Sequence, residues 1–133
     1  MIMAASAIAQ PTCHGQSLAH MIDRYAILQQ RQDTVAIAHL FGRSGVVTHG
    51  NDEIRGETQV RQFLDTFQGF KVSANMLTVD SLVRDGRGWR ADGRFDQSGT
   101  VPDGSAYHAT GRFLSRWHCD RGGWRIDRME TRN

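Results

Sequence analysis

The 133-residue chain is the size of one domain: long enough to bury a real core and too short for two. A net charge of +2, with its basic residues scattered rather than clustered, argues against a nucleic-acid partner. No apolar run is long enough to span a membrane, so no membrane partner is expected either.

The chain opens on an apolar stretch, Met1–Gln10, in which Ala7-Ile8-Ala9 looks faintly like a signal cleavage site. No basic segment precedes it, so a loose or partly helical tail over residues 1–16 and a cytoplasmic location are the expectation. One domain is expected over residues 17–133. Cys13 and Cys119 make neither a disulfide framework nor a metal site. Free thiols are the expectation, with a bridge left open.

Ser17 is a good cap for a first helix running to about Gln32, striped by Leu18, Met21, Ile22, Tyr25 and Leu28. Asp33-Thr34 restarts the chain into a second short helix, Val35 to Phe41, which Gly42 and Gly45 stop. Val46 to His49 reads as a short strand and Gly50-Asn51-Asp52 as a turn. Glu57 to Phe67 reads as a third helix with Val60, Phe63, Leu64 and Phe67 on one face.

From the sole lysine, Lys71, the period changes to two. Val72 to Val83 is a strand ending at the Asp85-Gly86 turn. Trp89, Ala91, Gly93 and Phe95 then alternate with Arg90, Asp92, Arg94 and Asp96. After a polar loop, Ser98 to Gly104, two further strands, Tyr107 to His118 and Trp124 to Thr131, flank Asp120-Arg121-Gly122-Gly123. Tyr107, Phe113, Ser115 and Trp117 share one face, expected to meet the helices. His108, Thr110, Arg112, Leu114 and Arg116 share the other. Helices followed by hairpins give an α+β fold, with three N-terminal helices packed on a strongly curved, mainly antiparallel sheet enclosing a pocket.

Four stretches in order carry a resemblance: Ile22-Asp23-Arg24-Tyr25, Gln32-Asp33-Thr34, Ile54-Arg55-Gly56-Glu57, and Gly111-Arg112-Phe113 with Gly123-Trp124-Arg125-Ile126. Together they resemble the SnoaL-like branch of the NTF2-like, cystatin-like superfamily, over roughly Leu18 to Asn133. That fold hosts isomerases, cyclases, dehydratases and plain binding modules, so the resemblance bears on fold far more than on reaction.

The resemblance implies candidate site residues. His49 matches the position of the carboxylate base of ketosteroid isomerases, and imidazole can take and return a proton near neutral pH. Tyr25 matches the tyrosine that donates to a developing oxyanion there, and also reads as a core tyrosine with its hydroxyl at the pocket wall. Asp33 matches a dehydratase aspartate and equally reads as a helix cap. The histidine that would pair with it is replaced by Lys71, ahead of Asn75. Phe113 stands where the isomerases place a protonated aspartate, so that oxyanion hole is incomplete. Trp89, Tyr107, Phe113 and Met129 are expected as pocket lining, with Lys71 and Asn75 as polar contacts. Two readings stay open: a cofactor-free isomerase, cyclase or lyase, and a non-catalytic ligand-binding or dimerisation module. Either takes a small, largely apolar molecule, with no cofactor and no metal site. The polar outer sheet face points to a homodimer.

Overall fold

The computed structural model describes residues 13–133, so the expectation for the Met1–Gln10 tail lies outside the described residues. Helix α1 spans Gly15–Arg31, α2 Thr34–Phe41 and α3 Glu57–Asp65. The strands are β1 Val46–His49, β2 Asp52–Arg55, β3 Lys71–Asp85, β4 Gly88–Thr100, β5 Ala106–Asp120 and β6 Gly123–Arg132. They form one sheet in the order β2-β1-β6-β5-β4-β3, antiparallel except where β1 runs parallel to β6. The α+β cone expected from the sequence is the observed fold.

Local chemistry accounts for the boundaries and for where they differ from expectation. Helix α1 starts two residues before Ser17, because His14 is its cap. The Ser17 N–H donates to His14 Nδ1, and the His14 N–H donates back to Ser17 Oγ. Ser17 thus completes a capping box from inside the helix. The helix ends at Gln32, which takes a left-handed conformation with φ 53°, the only non-glycine among the described residues to do so. Strand β2 was not foreseen, since its two-residue turn leaves only Asp52 to Arg55 to pair with β1.

The period-two reading holds along β4 and β5. Phe113, Ser115 and Trp117 are buried under the helices, while Arg112 and Arg116 are exposed on the outer face. Buried Ser115 donates to the Ala91 carbonyl and accepts from Trp117 Nε1, so no polar atom of this pair is left unmet. Two bulges in β3, between Val72 and Ala74 and between Val79 and Ser81, re-phase the strand. They keep Val72, Asn75, Leu77, Val79 and Leu82 opposite inward residues of β4 while letting the strand bend. Gly111 serves the same curvature: a Cβ there would lie 2.7 Å from the Phe95 ring and 2.1 Å from the Arg132 carbonyl oxygen.

The core joins α1 and α2 to the sheet through Leu18, Ile22, Leu28, Phe41, Trp117 and Ile126. At the α1 start, Trp124 Nε1 donates to Ser17 Oγ at 3.2 Å, and Trp89 meets Trp124 edge-on. This junction corrects the expectation of free thiols: Cys13 and Cys119 form a disulfide, with Cα atoms 6.2 Å apart. Residues so distant in sequence meet because α1 begins against the β5–β6 turn. The bridge closes a separation of 106 residues, and chain-entropy reasoning gives it a stabilisation on the order of 4 kcal/mol. Reduction, or Cys119→Ser, is therefore expected to lower the urea midpoint of the oxidised protein. Maleimide labelling of the unfolded, non-reduced chain should add no mass; labelling of both cysteines would contradict the bridge.

Candidate functional site

The concave face of the sheet is filled unequally. At one end Trp89, Trp117 and Trp124 pack with Leu18 and Ile22. Toward the other end of β4 and β5, α1, α2 and α3 enclose a cavity of about 370 Å³. Its volume falls at the lower end of the range of small-molecule sites.

Each element contributes a distinct chemistry to the wall. Helix α1 supplies Tyr25 and Gln29, one turn apart, and its C-terminal cap Gln32 also lines the wall. Helix α3 and the turn after it supply Phe63, Phe67 and Phe70. Their rings form a chain with His49 at one end, 5.0 Å from Phe63, and Tyr107 at the other, 6.2 Å from Phe70. The ring contacts are tilted or edge-on, the arrangement that aromatic quadrupoles favour. The sheet supplies Val47, Asn75, Leu77, Phe95, Gln97, Phe113 and Met129. No Asp, Glu, Lys or Arg lines the cavity, so its wall carries no fixed charge.

The polar lining is a connected set of neutral groups. Asn75 Nδ2 donates to the Ala26 carbonyl at 3.0 Å and to Gln29 Oε1 at 2.9 Å. Gln97 Nε2 donates to Asn75 Oδ1 at 3.2 Å, and the Tyr107 hydroxyl donates to Gln97 Oε1 at 2.8 Å. Gln32 Nε2 donates to the Phe67 carbonyl at 3.1 Å, tying the end of α1 to the turn after α3. Tyr25 stands apart from this set. It is 5% exposed, and its hydroxyl has no partner among the described residues and opens on the cavity. Burial holds the Tyr25 phenol far above its ordinary value, because a phenolate there would lose its hydration. The group is a neutral donor at any physiological pH.

The structure brings Tyr25, His49, Asn75, Tyr107, Phe113 and Met129 together around this cavity. His49 is exposed at its mouth and makes ring contacts with Phe63 and Phe67 rather than a hydrogen bond to Tyr25 or Asp33. Asp33, Lys71 and Trp89 lie outside it. The Asp33 carboxylate caps α2, accepting from the Ala36 N–H at 3.1 Å. Lys71 pairs with Thr100 on the outward phase of β3, since the inward phase begins at Val72. Trp89 belongs to the filled end of the sheet, against Trp124 and under the Arg84 guanidinium.

Sequence reasoning missed Gln29, Gln97 and Phe70. Gln29 lies one turn beyond Tyr25 on the same helix face, and Gln97 continues the inward alternation of Phe95. Extending either period by one step finds them. Phe70 follows the end of α3 and had no periodic signal.

A family model described as a SnoaL-like domain matches residues 16–130. The chain belongs to the SnoaL-like family. Similar solved structures include an NTF2-like superfamily protein from Salmonella enterica, at 22% identity and TM-score 0.75, covering 90% of this chain and 89% of that one. A protein of unknown function from Mycobacterium tuberculosis aligns at 20% identity and TM-score 0.75, over 87% of this chain and 73% of its own. A ketosteroid isomerase-like protein from Erwinia carotovora aligns at 16% identity and TM-score 0.71, over 80% and 85%. At such identities the SnoaL-like family shares with them a fold, and nothing about reaction follows. A search of curated proteins found no match.

The buried Tyr25 phenol sets a pH dependence. Its pKa is higher folded than unfolded, so its share of stability is complete below pH of about 10 and is lost as pH rises from there toward the folded value. Tyr25→Phe removes the ionisation and should flatten the alkaline decline in urea midpoint. Equal slopes for the two proteins above pH of about 10 would contradict the burial of this hydroxyl.

Proposed function

We propose that the chain binds a small, uncharged, largely apolar molecule in the cone cavity, with the Tyr25 hydroxyl donating to an oxygen of that molecule. The observation that carries the reading is Tyr25 itself. The Tyr25 side chain is buried, and its hydroxyl, which opens on the cavity without a partner among the described residues, would find one in a bound carbonyl or hydroxyl oxygen. The absence of Asp, Glu, Lys and Arg from the wall supports an uncharged ligand, since a buried ion would find no counter-charge. The rings of Phe63, Phe67, Phe70 and Tyr107 supply edges and faces against which a flat apolar body can pack.

The lining also supports a catalytic extension. His49 and Tyr25 border one cavity, so a bound carbonyl compound could meet a donor at Tyr25 and a proton acceptor at His49. In that extension His49 moves a proton from the carbon beside the carbonyl, and Tyr25 holds the enolate oxygen. A homodimer through the outer sheet face completes the proposal. That face carries paired charges, Arg94 and Arg112 on Asp80 and Arg116 on Asp85, beside exposed Met76 and Val83. A monomer by light scattering would count against it.

The test uses neutral benzophenone and anionic benzoylbenzoate as probes, read by thermal shift and calorimetry. Benzophenone should raise the melting temperature and benzoylbenzoate should not. Tyr25→Phe should weaken benzophenone about tenfold, the effect of losing one hydrogen bond to a desolvated carbonyl. His49→Ala should leave its affinity within about twofold, because that ring is exposed at the mouth and makes no hydrogen bond. Equal binding of the two probes, or indifference to Tyr25→Phe, would sink the reading.

A further inference from the structure

The polar chain on the cavity wall has an orientation that one backbone group decides. The Ala26 carbonyl can only accept, so the Asn75 atom 3.0 Å from it must be the amide nitrogen. That choice turns Asn75 Oδ1 toward Gln97, where only an N–H can meet it, and Gln97 Nε2 lies there at 3.2 Å. Gln97 Oε1 is thereby turned toward the Tyr107 hydroxyl at 2.8 Å. A carbonyl oxygen cannot donate, so the single Tyr107 proton is committed to it. What Tyr107 still offers is a lone pair. The other branch runs the opposite way. The second Asn75 proton goes to Gln29 Oε1 at 2.9 Å, so the Gln29 amide nitrogen keeps its protons, with no partner among the described residues.

We infer that this relay gives the cavity a fixed hydrogen-bonding polarity, so that it selects ligands bringing a hydroxyl or N–H donor to Tyr107 Oη and an acceptor to the Gln29 amide. Reversing any member would set two acceptors or two donors face to face, and the whole chain would have to turn against Ala26, whose carbonyl is fixed in α1. Burial raises the Tyr107 phenol above its ordinary value, which keeps the committed proton in place. The inference rests on the cavity being a ligand site, as proposed above, and adds which end of a ligand goes where. Gln97 and Asn75 are then positioning residues, and Tyr107 is the contact that discriminates.

The probes are para-(hydroxymethyl)benzophenone and its methyl ether. They share the ketone and ring framework, and only the first can donate. Wild type should bind the alcohol about tenfold more tightly, because a lone pair built to receive a proton rejects the analogue lacking one. Tyr107→Phe should bring the ratio close to one, while circular dichroism shows the fold retained. Gln97→Leu frees the Tyr107 proton, so the hydroxyl can donate to the ether oxygen. The ether should then gain on the alcohol, which mere loosening of the wall would not produce. Equal wild-type affinities, or a ratio that survives both substitutions, would overturn the fixed polarity and leave the cavity reading standing. Failure of both probes to bind wild type would remove the cavity reading and the inference together.

Discussion

The structure depends on unequal filling of one concave sheet. At the end where β4 starts and β5 finishes, Trp89, Trp117 and Trp124 occupy the space between strands and α1. Farther along the same strands Gly93, Gly99, Ala109 and Gly111 take inward positions among Phe95, Gln97, Tyr107 and Phe113, with no indole there. Large side chains in one half fix where the helices rest, and small ones in the other half leave a volume they do not fill. A cavity surrounded by a well-packed core on one side can keep its shape without a ligand, which is what a binding site needs. The Cys13–Cys119 bridge and the Ser17–Trp124 hydrogen bond both lie at the filled end. Holding α1 there also sets where its far end, Tyr25 to Gln32, meets the open half.

The open half is held together by polar contacts more than by packing. Asn75 reaches the α1 backbone at Ala26, and Gln32 reaches the Phe67 carbonyl. Each bond crosses from one wall of the cavity to another, so the walls are spaced by hydrogen bonds whose geometry is stricter than that of apolar contact. Gln32 accepts a left-handed backbone to make its contact, a conformation usually given to glycine or asparagine at a helix end. Such strain is placed where a side chain is needed. Burial and hydrogen bonding keep all these groups neutral or occupied, and Tyr25 remains as the hydroxyl with unspent capacity.

Much of this was legible beforehand. Alternation in β4 and β5 assigned Phe113, Ser115 and Trp117 to the helix side and Arg112 and Arg116 to the outside, because successive side chains on a strand point to opposite faces whatever they pack against. The helix stripe of Leu18, Ile22, Tyr25 and Leu28 followed in the same way from the 3.6-residue period. Asp33 was read both as a dehydratase aspartate and as a cap. The structure shows the cap, whose partner is three residues away and therefore visible in the sequence. Gln97 escapes a strand reading that stops at Asp96, four residues short of the end of β4. Lys71 is a candidate only through the resemblance to a dehydratase histidine ahead of Asn75; the bulge between Val72 and Ala74 puts the two on different phases of β3.

The sequence by itself determined the element types, the α+β class and the face on which each strand residue lies, since these follow from local periodicity and turn chemistry. Only the tertiary structure decided which inward positions face packed core and which face open volume. It also decided that Cys13 meets Cys119, and that Ala26, Asn75, Gln97 and Tyr107 form one oriented chain. Those facts depend on distances between residues tens of positions apart, set by sheet curvature and by where α1 docks. No periodicity within a single segment carries that information.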